Sequence, residues 1–133
     1  MKTNCKYTLA VLAGVLIGIA GARAIHAQQV KPVPAYVISE ADVITDPTAV
    51  EKYGEKVSET LAPFNGHYHF VVAGGKAQAL DGAAPPNGIV VIAFDTAEQA
   101  RAWYDSPAYQ AIKPLRSSSV KGRMFIVEGI APQ

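Results

Sequence analysis

The chain has almost no cysteine. Cys5 is the only one in 133 residues, so everything after it lacks a thiol. A disulfide framework, a thiolate nucleophile and a cysteine metal cage are thereby excluded. An excess of either charge is missing too: 12 Lys and Arg stand against 11 Asp and Glu. Without a basic footprint, nucleic acid is not an expected partner. Long apolar runs are absent as well. The longest uncharged stretch, Tyr7 to Ala22, is 16 residues, short of the roughly 20 that span a bilayer. Gly74-Gly75 is no phosphate loop, because it lacks a following Lys-Ser/Thr and precedes no helix. The serines beyond the first 27 residues are isolated or in loops, and no Ser-His-Asp arrangement emerges. No internal repeat or low-complexity tract is present.

What is there begins with a short basic start, Met1 to Lys6, followed by the greasy stretch and then Ala22-Arg23-Ala24-Ile25-His26-Ala27. This order predicts a secretory signal peptide over residues 1–27, cut after Ala27, with a cut after Ala24 as the alternative. Cys5 precedes the greasy core, so it is not placed for lipoprotein attachment. The expected location is periplasmic or secreted, with no membrane contact after cleavage. Lys2, Lys6 and Arg23 leave with the signal. That lowers the basic count to 9 against 11 acidic residues, a net charge of −2. Residues 28–34, with two prolines and no periodicity, read as a flexible tether. Residues 35–130 form one domain, large enough to hold by its own core.

Ala35 to Val43 reads as a strand whose alternation separates Val37, Ser39, Ala41 and Val43 from Tyr36, Ile38, Glu40 and Asp42. Asp46-Pro47 opens a helix, Asp as N-cap and Pro in the first turn. Its apolar stripe is Val50, Tyr53, Gly54, Val57, Leu61 and Phe64, and Pro63 with Asn65-Gly66 ends it. His67 to Ala73 is a second strand, bent at Gly74-Gly75 and continuing over Ala77 to Leu80. Asp81 to Gly88 is a loop. Ile89 to Phe94, apolar on both faces, is a central strand. Asp95 and Glu98 have the spacing of a reciprocal cap on a second helix, which buries Ala97, Ala100, Trp103 and Tyr104. Ser106-Pro107 restarts the helix, with Ala108, Ala111, Ile112 and Leu115 inward and Pro114 kinking or ending it. Val120 to Glu128 is the last strand.

The order βαββαβ predicts a ferredoxin-like α+β fold: a four-stranded, mainly antiparallel sheet with two helices on one face. Strands joined by a helical crossover can lie as parallel neighbours. The second sheet face carries Tyr36, Ile38 and alternate residues of the third strand. Left open it would be a sticky patch, so a second copy is expected to cover it as a homodimer.

Ala35-Tyr36-Val37-Ile38, Asp46-Pro47, Arg101 to Tyr109 and Gly122 to Gly129 resemble a bacterial family, domain of unknown function 1330, within the dimeric α/β-barrel superfamily. The resemblance spans about residues 34–130 and is most specific at Trp103-Tyr104. It implies a ferredoxin-like protomer whose sheets share a barrel, and it implies no activity. More distant members of that superfamily include cofactor-free monooxygenases, haem-degrading enzymes and small-molecule isomerases, so the fold leaves function open. Many relatives carry an arginine just before the Gly-Gly, where Ala73 stands here, so an anion-binding role for that arginine does not carry over.

Alternation gathers four candidates on the open face: Tyr36 and Glu40 from the first strand, His67 and His69 from the second. An imidazole oriented by a carboxylate suits proton transfer. The His-x-His spacing with Glu40 would also suit a transition metal, and exposed histidines near a sheet edge need neither. Trp103, Tyr104 and Tyr109 read as core. Arg101, Arg116 and Arg123 read as solvated or ion-paired before they read as anchors for an acidic substrate. The expectation is a small-molecule pocket in the barrel interior working by His/Glu proton transfer, its reaction and cofactor unspecified. The alternative is a structural or ligand-binding homodimer without an active site.

Overall fold

The computed structural model describes residues 31–130; the signal peptide expected over 1–27 lies outside them. Four strands, β1 (Ala35–Ile44), β2 (His67–Val72), β3 (Gly88–Phe94) and β4 (Val120–Glu128), form one sheet in the order β2-β3-β1-β4. Three helices, α1 (Pro47–Leu61), α2 (Ala97–Asp105) and α3 (Pro107–Ser117), complete the domain. Every neighbouring pair is antiparallel. The sheet is antiparallel as expected, and the parallel neighbours that helical crossovers permit do not occur, because each crossover skips a position. β3 separates β1 from β2, and β1 separates β3 from β4. The sheet is open at β2 and β4.

The local signals account for most boundaries. Asp46 caps α1 by accepting from the Ala49 amide at 3.1 Å. The helix gives way to a 3₁₀ turn over Ala62–Phe64, and Asn65 then takes a left-handed conformation, φ 54°. The cap of α2 falls one residue later than expected. Thr96 and Gln99 form the capping box, while Asp95 accepts from the Asn65 side chain at 3.2 Å. Ser106 restarts the helix by accepting from Tyr109 N. α3 then runs through Pro114 to Ser117. A proline one turn from the end removes a single amide, and Ser118 closes the terminus on the Pro114 carbonyl. The Ala77–Leu80 continuation of β2 is not formed: the chain turns at Gly74 and Gly75, both at positive φ, and stays irregular up to β3.

The core lies between the helices and one face of the sheet. Val37, Ile92 and Phe94 meet Leu61, Ala100, Trp103 and Tyr109 there, all buried. Trp103 is fully enclosed, and its indole N–H donates to Thr60 Oγ1 at 2.9 Å. Phe94 and Tyr109 lie against the indole at 5.5 and 4.3 Å between ring centroids. In α3 the inward stripe is Tyr109, Ile112 and Arg116; Ala108 and Ala111 face solvent.

Candidate functional site

The register decides what shares a face. Tyr36 pairs with Ala93 and Val127, Ile38 with Val91 and Phe125, and Glu40 with Ile89 and Arg123. These residues line the face without helices. β2 carries a bulge at His69: Tyr68 sits opposite Ile92, yet Phe70 sits opposite Val91. The extra residue shifts parity. His67, His69 and Phe70 therefore lie toward the open face, and Val71 turns to the helix face, against the expected grouping of Val71 with the histidines.

The four expected residues share this face but do not converge. Tyr36 and His69 meet edge to face, 5.5 Å between centroids, over the small Ala93. His67 is exposed, its Nδ1 at 3.4 Å from Asn65 O. Glu40 pairs with Arg123 and makes no hydrogen bond to either histidine among the described residues. It stands four residues along β1 from Tyr36, about 13 Å at strand rise. Nor do the histidines and Glu40 form a metal-ligand group among the described residues.

The apolar recess is on the other face, a groove partly open to solvent where Gly54 and Val71 are exposed. A cavity of about 250 Å³ lies under α1, walled mainly by aliphatic side chains including Val57, Val90 and Ile92. Small residues leave it empty. Ser39 and Ala41 of β1 and Gly88 of β3 face Gly54 of α1, and a Cβ placed on Gly54 would meet nothing within 4 Å. The close helix–sheet contact expected at these positions is a gap, and α1 packs chiefly on α3. A larger and more open depression of about 400 Å³ beside β4 is lined by Arg101, Tyr104 and Phe125 among others.

The polar end of the cavity is Arg116. Its Nε donates to Ser39 Oγ at 3.2 Å, and its Nη2 to the carbonyls of Glu40 at 3.4 Å and Arg123 at 3.2 Å. A Cβ at Gly122 would collide with that Glu40 carbonyl, so glycine is needed where the strands close. Tyr53 also lines the cavity, and its hydroxyl shares a hydrogen bond with that of Tyr109 at 3.2 Å. Burial raises the pKa of both phenols, Tyr53 further than Tyr109. Both stay neutral, and the arrangement offers a fixed cation, the Tyr53 hydroxyl and an apolar groove.

Ser39, Tyr53 and Arg116 were not among the expected site residues. Two signals for them exist in the sequence. Gly54 interrupts a stripe of large residues, and Arg116 falls seven residues after Tyr109 and four after Ile112, in phase with the core.

The strand order and helix layer define a ferredoxin-like α+β fold with an open four-stranded sheet. Residues 34–130 match the domain of unknown function DUF1330, and the chain belongs to that family. No curated protein matches it. A protein of unknown function from Rhodopseudomonas palustris superposes with a TM-score of 0.60 at 12% identity, over 79% of this chain and 88% of that one. SnoaB, a cofactor-independent oxygenase from Streptomyces nogalater, gives 0.51 at 13% identity, over 76% and 95%. A dimeric ferredoxin-like protein of unknown function from Thermobifida fusca gives 0.47 at 18% identity, over 74% and 91%. At these identities the likeness is one of fold.

Proposed function

We propose that the protein is exported, pairs through its open sheet face, and holds a small molecule in the cavity between α1 and the sheet. The cavity carries this reading. It is apolar, bounded by side chains from both layers, and ends on one oriented cation, the usual make-up of a small-molecule site. The dimer is supported by the opposite face, where Phe70, Phe125 and Val127 remain 45%, 37% and 36% exposed. A second copy on that face closes the sheets into a barrel and removes the patch from water. Export follows from the signal-like segment 1–27.

The likeness to an oxygenase supplies a scaffold and no residue set, so binding is the activity assigned, with or without chemistry on the bound molecule. A second reading keeps proton transfer on the open face. The Tyr36–His69 contact favours it, and pairing of two copies would enclose that contact together with His67 and Glu40. Native mass spectrometry of protein recovered from the periplasm tests the main reading. The expected species is a dimer beginning at Gln28 and carrying a small-molecule adduct. A bare monomer, or one that retains Met1, contradicts it.

A further inference from the structure

We infer that the occupant of the helix–sheet cavity is a small apolar acid, its aliphatic body under α1 and its carboxylate on Arg116. This rests on the cavity reading above and names the chemistry of the ligand.

The charge argument comes first. Arg116 is half-buried, and all its partners are neutral: one hydroxyl and two carbonyls. No carboxylate lies within 4.0 Å of it among the described residues. Glu40 offers Arg116 only its carbonyl; the Glu40 carboxylate reaches the other face and pairs with Arg123. Tyr53 and Tyr109 cannot supply an anion, because burial keeps their phenols protonated. Nη1 has no protein partner among the described residues and is open to solvent. A guanidinium held in place beside an apolar groove, with one nitrogen free, is set to receive a carboxylate.

Size and wall chemistry come next. A cavity of roughly 150 Å³ accepts benzene. By that scale, the about 250 Å³ here takes on the order of ten non-hydrogen atoms. The walls away from Arg116 offer methyl groups and few hydrogen-bonding atoms, which suits a hydrocarbon body.

Gly54 is the third observation. It sits in mid-helix, on the stripe of Val50 and Val57, where glycine costs about 0.5–1 kcal/mol relative to alanine. Its φ is not positive, and no neighbour crowds its Cβ position. Folding gains nothing from glycine there, whereas an occupant of the cavity does.

A purely structural Arg116, tying α3 to β1 and β4, would affect stability without caring about ligand charge. Isothermal titration of the purified dimer with octanoate and with 1-octanol separates the two. Octanoate should bind with a Kd on the order of 0.1 mM, and octanol at least about tenfold more weakly. Arg116→Gln should bring octanoate down to the octanol level and leave octanol unchanged. Gly54→Leu should abolish both, with an unaltered circular dichroism spectrum. Equal binding of the two probes overturns the acid inference and leaves the cavity reading standing; no binding of either overturns both. If Arg116→Gln does not fold, the comparison of probes on the unsubstituted protein decides.

Discussion

The two faces of the sheet are made from alternate residues of the same strands, and they solve different problems. The helix face holds Val37, Ile92 and Phe94 against Trp103 and Tyr109, and it holds the cavity. The open face holds Tyr36, Ile38, Val91 and Phe125, with the Glu40–Arg123 pair at one end. Stability belongs to the first face; on the proposed reading ligand binding belongs there too, and association belongs to the second. The difference teaches that an apolar residue on this sheet has a role set by parity more than by type. Val90 and Val91 are neighbours in sequence, and they lie on opposite faces.

The largest expected effect comes from stripping the helix face. Trp103→Ala should cost about 3–5 kcal/mol, read as a lowered denaturation midpoint, because the indole is fully buried and donates to Thr60. On the open face, Phe125→Lys should leave the protomer folded and weaken dimerisation by about a hundredfold, since it places a charge at a covered apolar contact. Sedimentation at micromolar concentration would show the monomer. If both substitutions affected stability alike, or association alike, the separation of faces would be lost.

Alkaline stability sharpens the helix-face half. Burial raises the folded-state pKa of Tyr53 above the unfolded value of about 10. The unfolded chain therefore loses its proton first. Stability from this group is complete below pH about 10 and falls as pH rises beyond it. Tyr53→Phe should flatten the loss of melting temperature between about pH 10 and pH 11.5. A slope identical to that of the unsubstituted protein would mean that the phenol is hydrated.

How much of this was legible beforehand depends on what alternation can encode. β1, β3 and β4, the restart at Ser106 and the bare sheet face all follow from period, caps and helix count. The placement of Tyr36 and His69 on that face follows as well; their contact does not, since the pair expected to meet was Glu40 with His69. The bulge at His69 could not be read, since an inserted residue leaves no mark in a short apolar strand, and it moved Phe70 and Val71 to unexpected sides. The cavity was missed for another reason. Small residues facing one another, here Ser39, Ala41 and Gly54, signal close approach or a gap with the same letters. Arg116 was hidden by its charge, which argues for solvent even though its helical phase points inward.

Gly54→Ala is a smaller test of the same gap. It should raise stability by about 0.5–1 kcal/mol, because the added methyl meets nothing. A loss of stability would show that α1 rests closer to the sheet. The smallest effect is expected from Glu40→Gln. Arg123 is 73% exposed in that pair, and exposed ion pairs contribute roughly 0–1 kcal/mol. A melting temperature changed by many degrees would assign the open face a structural role that the comparison denies it.

The division between the faces is tested most directly by methyl NMR of the dimer during titration with octanoate. The methyls of Val50, Val57 and Val90 should shift with ligand, while those of Ile38, Val91 and Val127 stay in place. Shifts confined to Ile38, Val91 and Val127 would put the ligand between the two sheets and contradict the account.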